Sequence, residues 1–303
     1  MVKAVQGKQL VRVSLVVITL NEEKNIAACI RSVGDFADEV LVCDMYSKDR
    51  TREIAEKLGA RVLCKRERHV EGARPFAAEQ ACGEWVFFLD ADERATTELL
   101  AELRTLISLK NIEMIRLRWA FLFMGKLLQR GAYGVTAAPR VVRRSSYLET
   151  AKRNVGIASM HTDQQISALR SIPNQVIARA RLIHLAYPTL EKYARKTLHQ
   201  YSIHEARERY ELDGKRPSLW RLIYRPTRAF VASFFYRLGF LDGIQGFIAS
   251  VVWAHYGFLS EAHLYDLEAG RTDDDPWVGI VAMPKGYDVG IESALSSPAQ
   301  QED

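Results

Sequence analysis

The sequence predicts an α/β fold: a doubly wound, mostly parallel sheet flanked by helices, followed by a helical C-terminal region. Two observations predict it. In the first third of the chain, short runs of β-branched and aromatic residues alternate with segments whose apolar residues recur at helical spacing. Strands and helices that alternate in this way form parallel sheets through crossover connections. The strand runs also end at polar side chains, and ligands of such sheets bind beyond the carboxyl ends of the strands.

The predicted strands of the parallel sheet are short and apolar. They are Val13–Thr19, Glu39–Asp44, Arg61–Cys64 and 85–89. The helices between them have recognisable ends, since Asn21 and Ser47 are good N-terminal caps and Gly59 is typical of a helix C-terminus. The third and fourth helices are expected at 73–81 and 96–109. These elements form the core of the predicted fold.

The pattern is less regular after the fourth helix. Residues 114–144 alternate apolar and basic side chains, which favours a mixed sheet edge across the crevice from the parallel strands. Residues 155–171 are polar and predict a mobile loop. Residues 175–183 return to strand character, and 190–210 predict a long basic helix. Beyond Gly270 the polar composition predicts a disordered tail.

The C-terminal region is apolar and aromatic, but Arg237, Asp242 and His255 interrupt it. A membrane-spanning helix needs ~20 uninterrupted apolar residues, which neither 229–241 nor 243–259 provides. Two helices lying in a membrane interface explain the pattern better, and a buried helical hairpin packed on the sheet is the alternative. The expected anchors are Trp220, Tyr224, Tyr236, Trp253 and Tyr256, with Arg216, Arg221, Arg225 and Arg228 upstream.

Composition and charge bound the class of protein. The 303 residues are 48% hydrophobic, which provides for a buried core and excludes a disordered chain. The formal net charge of +5 fits anionic lipid or a diphosphate ligand as well as nucleic acid. Residues 11–20 are too short to span a bilayer, so the N-terminus is expected to stay in the cytoplasm. The cysteines lack C-x-x-C spacing, which favours reduced core thiols over a structural zinc site; they are Cys29, Cys43, Cys64 and Cys82.

Asp90 and Asp92 follow directly on the strand 85–89, with Ala91 between them. At an open strand end, two carboxylates one residue apart can face the same Mg²⁺ or Mn²⁺ ion, which takes oxygen ligands and shares its shell with substrate phosphates. Such a cation would act as a Lewis acid for a departing nucleotide diphosphate. Asp44 ends the second strand, where an acidic side chain can accept a hydrogen bond from a base or a ribose.

Further polar residues lie at the same predicted edge. Thr19 ends the first strand, and Glu22 follows it. Glu22 either contacts the nucleoside or supports the first helical turn, and Asp49 is expected to support the start of the second helix. Because the carboxyl ends of parallel strands meet at one edge, we expect Thr19, Asp44 and Asp90 to converge on one crevice.

A resemblance to a known family is carried by two sets of segments. The first set resembles the three signature blocks of family 2 glycosyltransferases and comprises 16–26 (VVITLNEEKNI), 40–51 (VLVCDMYSKDRT) and 83–93 (GEWVFFLDADE). The second set resembles the subgroup that adds sugars to the lipopolysaccharide inner core and comprises 193–201, 225–230 and 239–247. Together the similarity spans residues 13–268.

The resemblance implies a GT-A fold and an inverting hexosyltransferase that uses a nucleotide diphosphate sugar as donor and Mg²⁺ or Mn²⁺ as cofactor. The implied acceptor is a lipid-linked saccharide or a lipopolysaccharide core. The implied location is peripheral, on the anionic cytoplasmic face of the bacterial inner membrane, and no nucleic acid partner is expected.

The resemblance also implies roles for individual residues. The nucleotide-binding positions are Thr19, Asn21, Glu22 and Asp44, the metal and diphosphate positions are Asp90, Ala91 and Asp92, and Arg74 lies near the phosphates. Inversion needs a base on the acceptor side, and the family's usual His-Glu or Glu-Asp pair is replaced by the sequence MHTD at 160–163. Asp163 is the first candidate for this base and Glu149 the second, while His161 positions the acceptor or the base. His184 lies in an apolar run and is expected to be a core histidine.

The predicted organisation is an N-terminal extension (1–12), a GT-A catalytic domain (13–212), an amphipathic membrane-interface region (213–268) and a disordered tail (269–303). One alternative, a polyprenyl-phosphate glycosyltransferase, predicts two spanning helices that the sequence does not offer. A nucleotidyltransferase needs a glycine-rich loop after the first strand, where no glycine stands. A non-catalytic membrane-associated scaffold is disfavoured because Asp90 and Asp92, the two aspartates of the D-x-D pair, are both intact.

Overall fold

A computed structural model describes residues 13–67, 70–134, 137–153, 168–169, 171–187, 189–194, 198, 201–211 and 213–270. The strands are β1 (Val13–Thr19), β2 (Glu39–Asp44), β3 (Arg61–Cys64), β4 (Trp85–Asp90), β5 (Glu93–Arg94), β6 (Met114–Phe123), β7 (Lys126–Leu128), β8 (Ala137–Arg143) and β9 (Gln175–Tyr187). The α-helices are α1 (Ile26–Val33), α2 (Thr51–Lys57), α3 (Val70–Gln80), α4 (Thr97–Ile107), α5 (Gly131–Gly134), α6 (Arg144–Arg153), α7 (Leu190–Ala194), α8 (Ser202–Glu211), α9 (Leu219–Val231) and α10 (Gly243–Glu268). The N-terminal extension, the loop around 154–167 and the tail beyond 270 lie outside the described residues.

The described strands form one sheet in the order β3-β2-β1-β4-β8-β6-β9-β5, with β7 paired to β6. The predicted parallel part is confirmed, because β3, β2, β1 and β4 all pair in parallel. From β8 onward the sheet is mixed, since β8 is antiparallel to both β4 and β6 whereas β9 is parallel to β6. The α/β class and the mixed second half both agree with the sequence pattern.

Strand β1 is buried on both faces, as a parallel strand between helices must be. Along β1, Leu15 and Val17 pack with α1 and α4 on one face, whereas Val16 and Ile18 pack with α3 on the other. This alternation follows from the two-residue period of a strand. The burial of both faces leaves the carboxyl ends of the strands as the open edge of the sheet.

The prediction of four core thiols is wrong for two of the cysteines. Cys29 and Cys43 are buried, but Cys64 and Cys82 are exposed. Cys64 lies on β3, which is the edge strand of the sheet, and Cys82 lies in the loop before β4. An edge strand has no neighbour on its outer side, so an apolar strand sequence does not ensure burial there.

The C-terminal helices differ from the apolar runs, except that α10 begins at Gly243 as the second run does. Helix α9 starts ten residues before the predicted 229–241 segment and is followed by a π-helical turn at Ala232–Tyr236 and a 3₁₀ turn at Gly239–Asp242. Leu238 has φ +57° and Gly243 has φ +67°, so the chain changes direction at both ends of the 3₁₀ turn. Helix α10 then runs for 26 residues. Within the described residues, no helix is long and apolar enough to cross a membrane.

Candidate active site

The carboxyl ends of β1, β2 and β4 meet at one edge, as expected. In the sheet register Thr19 pairs with Asp44, and Ile18 pairs with Asp90. Thr19 and Asp44 are almost completely buried, and Thr19 Oγ1 and Asp44 Oδ1 have no hydrogen-bond partner among the described residues. Because buried polar atoms are normally paired, these two oxygens have unmet hydrogen-bonding capacity at the predicted nucleotide edge.

The loops that follow β1 and β2 are hydrogen-bonded to each other. The backbone N–H of Asn21 donates to Ser47 Oγ at 2.8 Å, and Asn21 Oδ1 accepts from the backbone N–H of Lys48 at 2.8 Å. The backbone N–H of Glu22 donates to Thr51 Oγ1 at 2.8 Å. Asn21 has φ +55°, a conformation that asparagine tolerates better than most residues. Asn21 and Glu22 therefore hold the two loops together at the open edge.

The carboxylates of Glu22 and Asp49 both accept hydrogen bonds near the starts of helices. The Glu22 carboxylate accepts a hydrogen bond from Asn25 Nδ2 at 2.7 Å, which supports the start of α1. Asp49 Oδ1 accepts from the backbone N–H of Thr51 at 3.0 Å, and Asp49 Oδ2 accepts from that of Glu23 at 3.1 Å. Asp49 thus supports the start of α2 as expected, and a nucleoside contact by Glu22 stays a prediction.

Asp90, at the end of β4, is held between two arginines. Arg74 Nη2, from α3, lies 3.0 Å from Asp90 Oδ1, and Arg140 Nη2, from β8, lies 2.8 Å from Asp90 Oδ2. Burial alone would raise the pKa of Asp90, but the guanidinium groups of Arg140 and Arg74 outweigh it and hold the pKa well below its ordinary value. The structure therefore places Arg74 beside Asp90, and its role near the phosphates, which the resemblance implies, stays a prediction.

Asp92, at the other end of the pair, faces a histidine that the sequence pattern assigns to the core. Asp92 Oδ1 lies 3.3 Å from His184 Nε2, and the backbone C=O of Asp92 accepts from the N–H of Leu185 at 2.8 Å. Burial lowers the pKa of His184, but the hydrogen bond and charge of Asp92 outweigh this and raise it overall. His184 is largely buried, as expected, but it also lies beside the D-x-D pair, because strand β9 extends beyond its predicted end and brings the imidazole to Asp92.

Glu93 forms the floor of the acidic cluster and is completely buried. Its Oε1 accepts from Arg140 Nη2 at 2.7 Å and from Trp119 Nε1 at 2.6 Å, and its Oε2 accepts from the backbone N–H of Asp90 at 3.0 Å. Burial, assisted by the negative charge of Asp90, raises the pKa of Glu93 in spite of Arg140. Glu93 therefore positions the turn that contains Asp90 and Asp92 through the backbone N–H of Asp90.

Asp92 and His184 could hold a divalent cation together, because Mn²⁺ accepts both carboxylate oxygen and imidazole nitrogen. Their atoms lie 3.3 Å apart, and His184 Nδ1 has no hydrogen-bond partner in the described chain. Within that same part of the chain, no group of three or more His, Cys, Asp or Glu is placed to hold a metal ion. A cation at this pair would thus need further ligands, such as a bound diphosphate. The D-x-D pattern predicts Asp90 as the second metal ligand, and this stays a prediction, since both carboxylate oxygens of Asp90 contact arginines here.

The candidate bases are not brought to this cluster by the described residues. Asp163 and His161 lie outside the described part of the chain. Glu149 lies on α6 with 63% of its side chain exposed, and it pairs with Arg153 one helical turn away. This exposed position gives the assignment of Glu149 as the base no support.

Sequence reasoning missed Glu93, Arg140 and His184 as parts of the site. Glu93 follows the D-x-D pair directly, so a third acid next to two others was a usable signal. Arg140 and His184 carry no such signal, because 47 and 91 residues separate them from Glu93. Only the pairing of β8 with β4 and of β9 with β5 brings them to the site.

Comparisons with known proteins show what the chain as a whole is similar to. The family described as Glycosyl transferase family 2 matches residues 14–115. The lipopolysaccharide core biosynthesis glycosyltransferase LpsC of Rhizobium meliloti is 30% identical, over 84% of this chain and 93% of that protein. An uncharacterized glycosyltransferase of Rickettsia prowazekii is 28% identical, over 84% of this chain and 87% of its own. The crystal structure of S. aureus TarS 1-349 aligns with a TM-score of 0.45 at 17% identity, over 86% of this chain and 93% of that one.

Proposed function

We propose that this chain, which belongs to glycosyl transferase family 2 and is a glycosyltransferase with an α/β fold of the GT-A type, transfers a sugar with inversion. The proposed donor is a nucleotide diphosphate sugar. The proposed acceptor is a lipopolysaccharide core or another lipid-linked saccharide. The acceptor class is suggested by the similarity to LpsC, whose name places it in lipopolysaccharide core biosynthesis. The observation that carries the proposal is the meeting of Asp90, Asp92 and His184 at the open edge of the sheet.

In the proposed donor site, each strand end has a separate task. Asp44 and Thr19 provide unmet hydrogen-bonding capacity for the nucleoside. Arg74 and Arg140 fix the carboxylate of Asp90, so the turn that follows β4 keeps its geometry. Asp92 and His184 hold the cation, which when bound neutralises the negative charge of the leaving diphosphate.

The acceptor hydroxyl needs a base on the face of the sugar opposite the diphosphate, because inversion is a single in-line displacement. We keep Asp163 as the proposed base, with His161 as the residue that positions it or the acceptor. Both follow α6, whose preceding strand β8 provides Arg140.

The test of the enzymatic proposal is a screen of nucleotide sugars for cleavage and transfer, with Mn²⁺ or Mg²⁺ and then with EDTA. We expect metal-dependent release of the nucleotide, reduced by about 10²-fold or more in Asp92→Asn because a group that stabilises developing charge is lost. Asp35→Asn is the matched control, since Asp35 is 95% exposed and pairs only with Arg104 in the described chain. Equal rates with EDTA, or in Asp92→Asn, would contradict the proposed metal site.

A peripheral membrane location is the second part of the proposal, and the orientation of α9 supports it. Arg221 and Arg225 on this helix point toward the protein and bind the buried carboxylate of Glu261 on α10, at 2.7 and 3.4 Å. The opposite face of α9 is apolar and exposed, with Trp220 at 69% and Ile223 at 60% exposure. A surface helix of a soluble domain normally buries its apolar face, so this helix has the reverse arrangement.

The exposed apolar surface continues past α9. It includes Leu219, Tyr224, Phe235, Tyr236, Phe240, Leu241 and Ile244, all at least 44% exposed. Exposed apolar patches mark interaction surfaces, and exposed helix faces with Trp and Tyr side chains are typical of helices that lie at a bilayer interface. We therefore favour a lipid surface over the buried hairpin for the region that contains α9.

Liposome flotation tests the membrane proposal. We expect wild-type protein to float with vesicles of phosphatidylcholine and phosphatidylglycerol, and the double variant Trp220→Ser/Ile223→Ser to stay mostly in the soluble fraction, because each buried apolar side chain contributes about 1.5–3 kcal/mol. Leu109→Ser is the control, since Leu109 is an exposed apolar residue outside the C-terminal region. Wild-type protein that stays soluble with both anionic and neutral vesicles would favour the buried hairpin instead.

A further inference from the structure

A cavity of about 450 Å³ lies between the second half of the sheet and the C-terminal region. Four of the residues that line it are arginines: Arg118, Arg130, Arg181 and Arg237. The cavity is separate from the D-x-D cluster, since none of the acids of that cluster lines it. The guanidinium groups that line the cavity therefore form a site separate from the D-x-D cluster.

Separate elements hold the arginines in place. Arg118 on β6 and Arg181 on β9 are partners in the sheet register. Arg181 Nη1 donates to the backbone carbonyls of Trp119 and Gly134, at 3.0 and 2.7 Å. The backbone N–H of Arg130 donates to Asp242 Oδ2 at 3.1 Å. These contacts engage the backbone of Arg130 and one guanidinium nitrogen, Nη1 of Arg181. Most of the guanidinium N–H donors in the cavity therefore remain available for a ligand.

The positive charge of the cavity is only partly compensated by the described chain. Burial, together with the charges of Arg118 and Arg130, lowers the pKa of Arg181, and Asp242 is the acid that acts in the opposite direction. Among the described residues, none of the four lining arginines forms an ion pair with a carboxylate. Guanidinium groups brought together without carboxylates are unfavourable unless an anion joins them, and their planar donors match phosphate and carboxylate oxygens.

The cavity adjoins the apolar surface of the C-terminal region. On the sheet side, Arg181 precedes His184 on β9 by three positions, so the two side chains lie on opposite faces of the strand, about 10 Å apart along it. On the other side, Tyr236 and Leu238 also line the cavity and are 82% and 41% exposed, next to the apolar surface of the C-terminal region. A molecule that lies on the apolar surface at Tyr236 and Leu238 is therefore next to these arginines.

We propose that this arginine cavity binds an anionic group, a phosphate monoester or a carboxylate, of the saccharide acceptor. The identity of the ligand as an acceptor rests on the proposed transferase function, but the cavity and its charge do not depend on it. An anion held here would orient the acceptor hydroxyl relative to the donor sugar and would make neutral saccharides poor acceptors.

Calorimetric titration of the full chain tests the proposal with three soluble probes: glucose 6-phosphate, glucuronate and glucose. We expect saturable binding of at least one charged probe and none of glucose. The double variant Arg118→Gln/Arg237→Gln should bind the charged probe at least about tenfold more weakly, because charge-assisted hydrogen bonds are lost. Arg228→Gln, which removes an exposed arginine of α9 outside the cavity, should bind within about twofold of wild type.

A parallel arm uses sedimentation with phosphatidylcholine vesicles that contain or lack phosphatidic acid. Loss of binding in the double variant with phosphatidic acid alone would assign the phosphate to a lipid headgroup, and loss with the soluble probes would assign it to the saccharide. Equal binding of every charged probe by wild type and the double variant, with thermal unfolding midpoints alike, would overturn the proposal. So would glucose binding as tightly as its charged analogues.

The outcomes also separate this proposal from the proposed function. Wild-type protein that binds glucose 6-phosphate through these arginines but cleaves no nucleotide sugar would refute the transferase proposal and leave the cavity as an anion site. Protein that cleaves a nucleotide sugar but binds no charged probe would refute the cavity and leave the transferase proposal intact.

Discussion

Glu93, next to the D-x-D pair, and Glu261, on α10, are both fully buried and both bound by arginine. The two sites differ in the numbers of acids and arginines that surround the glutamate. Around Glu93 the acids outnumber the arginines: Asp90, Asp92 and Glu93 face Arg74 and Arg140. Around Glu261 the arginines outnumber the acids: Arg209, Arg221 and Arg225 face Glu261 and Glu205.

The difference in balance corresponds to a difference in task. At Glu93, burial, assisted by the charge of Asp90, raises the pKa in spite of Arg140, so a cation bound nearby would favour the ionised carboxylates of this cluster. At Glu261, burial is outweighed by Arg221 and Arg209, which lower the pKa. The second cluster is therefore a cross-link among α8, α9 and α10, and it keeps the arginine face of α9 turned inward.

The largest expected effect is the loss of the Glu261 cross-link. Glu261→Ala should lower the free energy of unfolding by about 3 kcal/mol, since it leaves three partly buried guanidinium groups without their buried carboxylate. Urea denaturation measures this, with Glu268→Ala as control because Glu268 lies on the same helix in an exposed pair with Arg216. Equal stabilities of the two variants would mean that the buried cluster contributes no more than a surface pair.

The second prediction concerns His184, which faces Asp92 in the cluster around Glu93. His184→Ala should raise the Mn²⁺ concentration needed for half-maximal sugar transfer by about 10–100-fold, the usual cost of disturbing a metal-site residue. The control is His255→Ala, because His255 is exposed on α10. An unchanged metal dependence in His184→Ala would show that Asp92 acts without this imidazole.

The two glutamates should also give opposite pH dependences. A lowered folded-state pKa, as for Glu261, stabilises the protein above 4.5, the ordinary value, and this contribution is lost as the pH falls through the folded-state pKa. The raised pKa of Glu93 has the opposite sign, so its contribution is lost as the pH rises. A tenfold difference in an acid dissociation constant between the folded and unfolded states corresponds to about 1.4 kcal/mol of stability.

Thermal unfolding across acid pH checks this prediction. We expect Glu261→Gln to flatten the loss of stability at low pH and Glu93→Gln to leave that loss in place. If both variants flatten the acid side alike, the contrast between the two clusters is wrong.

The smallest expected effect comes from an exposed ion pair. Glu149→Gln should change stability by less than about 0.5 kcal/mol, because both Glu149 and Arg153 are largely exposed. Sugar transfer should change by less than about twofold in the same variant. A loss of about 10²-fold in kcat would instead identify Glu149 as the base.

Much of the fold and the donor edge was accessible from sequence because the signals are local. Strands β1 to β4 are runs of apolar residues with polar ends, and their parallel pairing follows from the helices between them. The convergence of Thr19, Asp44 and Asp90 then follows from topology alone. The family resemblance implies a position near the phosphates for Arg74, and the structure places Arg74 in contact with Asp90.

The sequence alone determined which strands form the parallel half of the sheet and which of their ends carry acids, because both depend on residues close together in the chain. Only the tertiary structure decided that His184 faces Asp92, that Arg140 joins Asp90 to Glu93, and that α9 presents its apolar face outward. Those arrangements arise where strands and helices distant in sequence pack together. The partner that neutralises a buried charge is selected there by position in space, which no local periodicity encodes.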